Sequence, residues 1–499
     1  MILLLILMPA AAGLAAFAIR NDAVRRTLLV ATAIFHSCVT VATWLEAPAP
    51  LLSGWLELDA AGRLILNIVS GLFLVIALYL IEYLRREAHG EAHGVREDSE
   101  EQGVLFSNAP EAIFTGCLLL LLSAMSVQAV SQHFGLFWVA MESSTLASAS
   151  LIYFHRHHRS LEATWKYVLI GSVGIALALL GNFFLAAAAS FGKGEPLPLL
   201  LGDLIKHRNN LNVTWLKAAF VLTLVGYGTK MGVAPLHTWK PDTYSEAPAV
   251  VAALLAGAVT SCAFLGILRM QQVCVAAGQT AFSQDMLVVL GLVSMAVAAV
   301  FILGQNDYKR MLAYSSVEHM GILVLGLGLG GVGIFGALLH TLNNAMSKPL
   351  LFLVASNIRA TYKTRSASAV TGILKVLPGS GVLWIVGFLA STGFPPFGIF
   401  VSEFIILSAA LNQGHYWIAA AFVALLALIF IGLGVIVLRM SQGMPPVELA
   451  GIHVKERPLA LLPPAVLAAA VLLFGLYLPA ALKDTIAQAA QALGGSGCP

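Results

Sequence analysis

Charge is what this chain has least of: 28 Lys and Arg with 25 Asp and Glu make up only 11% of its 499 residues. Soluble domains carry about 25%. Hydrophobic residues reach 59% and mean hydropathy is +0.87. No water-soluble fold hides that much apolar side chain, so the composition excludes a soluble protein and requires a bilayer as solvent. The net charge of +3 is small and dispersed through short loops, which excludes a nucleic-acid surface. Cysteine is also scarce. Cys38, Cys117, Cys262, Cys274 and Cys498 form no CxxC pair and no His/Cys cluster at metal spacing, so no iron-sulfur centre, zinc site or disulfide framework is expected. No nucleophile triad or phosphate loop is present, which argues against an independent enzyme.

What remains is an all-α polytopic membrane protein. Charges, prolines and polar clusters divide the chain into fourteen apolar segments of spanning length. They run over 2–19, 27–45, 62–84, 111–130, 133–154, 163–190 and 213–236. The rest are 246–270, 286–304, 309–329, 331–358, 381–411, 415–438 and 458–480. Arg20 follows the first segment and no basic residue precedes it, so it reads as a membrane helix and not as a cleaved signal peptide. Seventeen of the 28 basic residues fall in alternate loops, among them Arg25, Arg26, Arg85, Arg86, Arg156, Lys309, Arg310 and Arg365. Basic loops stay cytoplasmic, so both termini are expected on the periplasmic or outer side.

Two polar stretches invite a metal reading. EAHGEAHGVREDSEEQG at 87–103 repeats EAHG but offers no third fixed ligand, so it reads as a solvated cytoplasmic loop. HRHHR at 155–159 lies on the basic face and suits lipid phosphates or a partner subunit.

Subtracting loop charges leaves Glu142, Glu162, Lys166, Lys230, Lys240, Glu246, Glu318, Lys348 and Glu403 in or beside the spans. A charge at mid-bilayer costs at least about 2.5–3.5 kcal/mol, so it usually faces a polar interior and marks an ion or proton path. For Glu162, Glu246 and Glu318 an interfacial or ion-pairing role is equally open. Glu142, Lys230, Lys348 and Glu403 point to function. Lys230 lies in YGTKMGVAPLHTW, where Gly232 and Pro235 should interrupt the seventh segment. Glu403 follows TGFPPFGIFVSEF, where Pro395 and Pro396 should interrupt the twelfth. Broken helices are tolerated at membrane depth where they line a polar cavity, and paired breaks suggest a repeat. Buried carboxylates and amines favour their neutral forms while proximity favours their charges, so a Glu/Lys pair of adjustable separation takes up and releases protons. His340 stands two turns before Lys348, which suits a relay as well as a packing role.

These residues carry a resemblance. HTWKPDTYSEAPAVVAALLAG resembles the signature of the proton-conducting subunits shared by complex I, Mrp-type cation/proton antiporters and membrane-bound hydrogenases. FWVAMESSTLAS, SLEATWKYVLIGSVGIALALLG, SSVEHMGILVLGLG and GFPPFGIFVSEFIIL are most similar to the hydrogenase-4 component F branch. The likeness runs from about residue 105 to 440. It implies fourteen helices with two inverted five-helix repeats. On it, residues 1–110 form an N-terminal three-helix segment with a cytoplasmic loop, 111–270 the first repeat, 286–440 the second, and 441–499 a C-terminal helix and tail. By the same resemblance Glu142 and Lys230 are the input half of a proton path, Lys166 a supporting base, Lys348 the central lysine and Glu403 the output acid. His340 belongs to the relay, with His237, Glu162, Glu318, His319 and Ser261 in support. Members hold no redox cofactor and work with other membrane and peripheral subunits in a prokaryotic inner membrane.

The chain departs from that pattern in three places. Ser261 or Ala256 stands where the eighth helix commonly has Lys or His, Asn344 where a second histidine often occurs, and Lys240 where HTWLPD has leucine. The first two leave a gap between the halves that water or Ser261 would span. The expected function is therefore a proton-translocating subunit of a hydrogenase-4-like or related respiratory complex. A cation/proton antiporter subunit, sodium included, the membrane half of an inorganic-carbon uptake system, and a non-conducting anchor stay open beside it.

Overall fold

The few polar residues that interrupt the apolar runs set the helix starts. Asn21 Oδ1 accepts from the Ala23 and Val24 amides, Asn212 Oδ1 from those of Thr214 and Trp215, and Asp307 Oδ1 from those of Lys309 and Arg310. Each satisfies amides that a helix start leaves without partners. In the computed structural model, which describes residues 1–88, 110–190, 198–451 and 454–495, these caps open long helices. From residue 89 on, the EAHG insert lies outside the described residues.

The chain begins with α1 (Ile2–Ala18), α2 (Asp22–Leu45), α3 (Ala60–Ala88), α4 (Glu111–Val130), α5 (Phe134–Ile152) and α6 (His158–Ser190). A short α7 (Leu201–Lys206) precedes α8 (Val213–Met231) and α9 (Trp239–Glu246). Then come α10 (Ala249–Ala276), α11 (Thr280–Ile302), α12 (Tyr308–Leu329) and α13 (Val332–Tyr362). A four-residue turn, α14 (Ile373–Val376), leads to α15 (Pro378–Ser391), α16 (Gly398–Asn412), α17 (Tyr416–Ser441), α18 (Pro458–Leu476) and α19 (Ala480–Ala492). Among the described residues there is no strand beyond isolated bridges, and nine helices are long and apolar enough to cross a membrane. The protein is a multi-pass helical membrane protein.

Its surface has the polarity of a membrane protein. On α6 the large residues Trp165, Leu169, Val173, Leu180 and Phe183 face outward, while Gly171, Gly174, Ala178 and Gly181 are buried. Without a hydrophobic drive between helices in lipid, small residues bring backbones together and large apolar ones meet the acyl chains. At the centre lie α10, α12 and α13, buried along almost their whole length. α8 and α13 are long enough but not apolar enough to be among those nine helices, and they carry interior polar groups, Lys230 on one, and His340, Asn343, Asn344 and Lys348 on the other.

Both expected breaks are present. α8 ends at Gly232 in the left-handed region (φ +81°), whose amide reaches the Gly228 and Thr229 carbonyls, and α9 resumes at Trp239. The second break separates α15 from α16 at residues 392–397. A third irregularity gave no sequence signal: Leu255–Val259 in α10 forms a π-helical turn. It faces α13 where Pro349 follows Lys348, so that a Cβ on Gly257 would lie 3.0 Å from Pro349 Cγ and 3.1 Å from the Ala345 carbonyl oxygen.

Candidate functional site

The interior holds two groups of titratable side chains, one beside each break. In the first, Lys230 is 1% exposed near the C-terminus of α8. Its Nζ donates to Thr145 Oγ1 on α5 at 2.8 Å and to the Tyr167 hydroxyl on α6 at 2.5 Å. Tyr167 in turn bonds Ser148 Oγ at 2.5 Å, and Ser148 donates to the Ser144 carbonyl at 2.7 Å. The amine is thus held by neutral hydroxyls. Glu142 makes no ion pair with it among the described residues, although the two are close enough for their charges to interact. Glu142 Oε1 accepts from Ser172 Oγ at 3.1 Å, and its Oε2 is buried without a partner. A pair that senses each other's charge without contact suits reversible proton transfer better than a locked ion pair.

Side chains from α9 close the first break. The last carbonyls of α8 lack the amides of a continuing helix; Trp239 Nε1 adds a bond at 2.8 Å to that of Thr229, which the Gly232 amide also reaches, and Lys240 Nζ donates to that of Met231 at 2.9 Å. His237 lies in the connecting turn, 8% exposed, with Nδ1 buried and unbonded.

Lys166 lies apart from Lys230. The adjacent residue Tyr167 points inward, while the half-exposed Lys166 pairs with Asp242 (2.7 Å) and Glu162 (2.6 Å). Asp242 also binds Arg310, and Glu246 pairs with Arg365 at 2.7 Å. Lys309 Nζ donates to the Ser245 and Ala247 carbonyls, each at 2.7 Å. This network fixes the end of α9 against α6 and α12. Within HRHHR, His155 meets Glu87 at 3.3 Å and His157 meets Glu246 at 3.8 Å, so both pack inward and not toward lipid phosphates. Burial pushes the pKa of His157, in the loop before α6, down to about 4, which leaves Arg365 as the cation in contact with Glu246 at neutral pH, with Lys309 near.

The second group centres on Lys348, which is fully buried on α13. Nζ donates to Ser315 Oγ on α12 at 2.6 Å, and Ser315 donates to Glu318 Oε2 at 3.0 Å. Alongside, His319 Nδ1 and His340 Nε2 are 2.9 Å apart, and His340 Nδ1 is 2.9 Å from Ser402 Oγ on α16. A proton taken up at one nitrogen of such a ring leaves from the other. Glu403 closes the group with Oε1 buried and unbonded. His319, His340 and Glu403 offer ligand atoms within 4.8 Å of one another, so they are the described residues best placed to hold a cation, although the two imidazoles spend facing nitrogens on each other. Asn344 is buried with both amide atoms unbonded. Ser261 donates to the Gly257 carbonyl at 2.6 Å, inside the π-helical turn.

The structure therefore gathers Glu142 with Lys230, and Glu318, His319, His340, Lys348 and Glu403 with one another, while Lys166 and Glu162 stand at the periphery. Sequence reasoning did not single out Tyr167, Ser148, Ser315 or Ser402. The available signal was spacing: Glu142, Thr145 and Ser148 repeat every three residues along one side of α5, and Ser315 precedes Glu318 by one turn.

Residues 131–429 match the NADH:quinone oxidoreductase/Mrp antiporter transmembrane family. A hydrogenase-4 component F homolog of Methylacidiphilum infernorum (isolate V4) is 35% identical over 324 residues, 64% of this chain and 67% of the relative. NADH-quinone oxidoreductase subunit N of Desulforudis audaxviator (strain MP104C) is 30% identical over 374 residues, 74% of this chain and 71% of the relative. The fold is shared with a chain of an archaeal membrane-bound sulfane sulfur reductase, with a TM-score of 0.83 at 19% identity over 99% of this chain and 97% of that one. It is shared equally with a chain of the Mrp complex from Dietzia sp. DQ12-45-1b, with a TM-score of 0.78 at 20% identity over 98% and 96%. The match to more than half its length, across both groups of buried charges, places this chain in the NADH:quinone oxidoreductase/Mrp antiporter transmembrane family.

Proposed function

We propose that the chain is a proton-translocating membrane subunit of a hydrogenase-4-like or related respiratory complex. The observation that carries the reading is the pair of buried lysines, each beside a structural irregularity and each bonded to neutral hydroxyls, with carboxylates near but not in contact. A buried amine without a contacting acid is costly as a structural element and useful as a proton carrier. Glu142 and Lys230 form the input half, Lys348, His319 and His340 the centre, and Glu403 the outlet, with Glu318 tuning Lys348 through Ser315.

In this reading the chain crosses the membrane fourteen times. Residues 111–270 and 286–440 are inverted repeats of five helices, flanked by residues 1–110 and 441–499, and both termini face the periplasm of a prokaryotic inner membrane. It holds no cofactor of its own, and partner membrane and peripheral subunits supply the driving reaction.

The test is proton uptake into vesicles that contain the purified complex, read with a pH-sensitive dye under an imposed membrane potential. Lys230→Ala and Glu142→Ala should abolish dye quenching while the complex still assembles. Wild-type uptake in both variants would show that protons take another route.

A further inference from the structure

Between the two groups the sequence leaves a gap, and the Ser261 hydroxyl, whose proton goes to the Gly257 carbonyl, offers only its acceptor lone pairs there. A different side chain occupies the space. Lys240, on α9, is fully buried, and among the described residues its amine donates only to the Met231 carbonyl. Met231 directly follows Lys230. The side chain lies across the break itself: a Cβ on Gly232 would sit 2.6 Å from Lys240 Cδ and 3.2 Å from Nζ. Lys240 is also close enough to Lys348, His237 and His319 for their charges to interact. Tyr244, one turn further along α9, has its ring centroid 5.5 Å from Lys240 Nζ. The Tyr244 hydroxyl and Ser316 Oγ are buried close to each other without a well-formed hydrogen bond, and Ser316 is the neighbour of the Ser315 that holds Lys348. Such orphaned polar atoms are where ordered water belongs in a buried path.

We propose that Lys240 is a proton-carrying residue linking Lys230 to Lys348, supplying from the half-helix after the break the titratable group that α10 lacks. The inference rests on the proton-translocating reading above. The Lys230 ammonium releases a proton and becomes an amine, and the Lys240 amine accepts it and becomes an ammonium. Transfer to a neutral Lys348 then resets Lys240. One proton and one charge move at each step, and nothing is oxidised or reduced. A purely structural role would be to cap the Met231 carbonyl, but that needs only a donor. Trp239 caps the Thr229 carbonyl, two residues before Met231, with a neutral indole N–H, so this break does not call for a cation.

Three variants separate these roles in the same vesicle assay, with wild type and Lys230→Ala run alongside and assembly checked by size-exclusion chromatography. Lys240→Met keeps the aliphatic stem and removes the amine. Lys240→Arg keeps a charged donor that does not deprotonate. Lys240→His keeps a group that does. The expected result is a fall of roughly a hundredfold in proton flux for Met and Arg, the lower end of what a positioned proton-transfer group contributes, with measurable flux retained by His. Wild-type flux in Lys240→Met, or in Lys240→Arg, would overturn the inference. If Lys240→Met does not assemble, the Arg and His variants decide. Wild-type flux in Lys230→Ala would instead overturn the underlying proton-path reading, whatever Lys240 does.

Discussion

A single charge in a long apolar run is conspicuous, and its uncharged hydroxyl partners are not. Lys230 and Lys348 stand out from sequence because a mid-membrane cation is costly, yet what makes them workable proton carriers is the set of neutral oxygens around them. Tyr167 shows this for Lys230. Its hydroxyl accepts from Lys230 and passes the polarisation to Ser148. In Tyr167→Phe the ring stays and only that oxygen goes, leaving Thr145 as the amine's one bonded partner among the described residues. One hydrogen bond to a charged group is worth about 1.5 kcal/mol or more. Dye quenching in reconstituted vesicles should therefore slow about tenfold or more at unchanged assembly; an unaltered rate would mean that the hydroxyl chain is bystander packing. The sequence could not distinguish Tyr167 from its neighbour Lys166, because one residue of helical rotation decides which faces the interior. The ionisable member of that pair turned out to be half-exposed on Asp242 and Glu162. Lys240 poses the opposite problem. It was visible as a buried charge, but its value as a link depends on the path of the chain through the break, which no spacing rule gives.

At the scale of elements, glycine and proline made the breaks legible, since Gly232 adopts a conformation other residues resist and the prolines at 235, 395 and 396 lack an amide to donate. The π-helical turn of α10 had no such marker. It depends on how Gly257 fits against Leu72, Pro349 and the Ala345 carbonyl, contacts that exist only after folding. The same holds for the seam between α6 and α8, where composition announces small residues but not their partners. A Cβ on Gly226 would lie 2.6 Å from Ala178 Cβ and from the Gly174 carbonyl oxygen, whereas one on Gly228 meets nothing within 4 Å. Overpacking of this kind costs about 1–3 kcal/mol. Gly226→Ala should lower the melting temperature of the protein in detergent, and Gly228→Ala should leave it unchanged or raise it. Equal melting of the two variants would show that the seam has room to relax and that close α6–α8 approach does not position Lys230.

Across the whole molecule, α9 is the part through which the two groups of buried charges meet, and its outer end is fixed by charges from both sides. Asp242 binds Lys166 of α6 and Arg310 of α12, Glu246 binds Arg365, and Lys309 holds the carbonyls of Ser245 and Ala247. Any displacement of Lys240 must therefore be hinged at the opposite end, near Gly232. Buried ion pairs contribute little net attraction, because desolvation offsets the Coulombic gain, but removing one partner takes from the other the opposite charge that compensated its burial. Glu246→Gln takes away a carboxylate that is 9% exposed and keeps Arg365, which is 12% exposed, beside Lys309. The expected cost is about 3 kcal/mol, read as a clearly lower melting temperature of the assembled complex. Glu162→Gln removes an equally short ion pair to Lys166, but from a side chain 64% exposed, so solvent screening should keep its effect below about 1 kcal/mol. If both variants melt alike, burial is not what gives the Glu246 pair its weight, and α9 is held by packing of Trp239 and Tyr244 instead of by charge. If Glu246→Gln melts early while Lys230→Ala does not, the charges that anchor α9 are separable from those that carry protons, and the outer network is scaffold for the path and not a part of it.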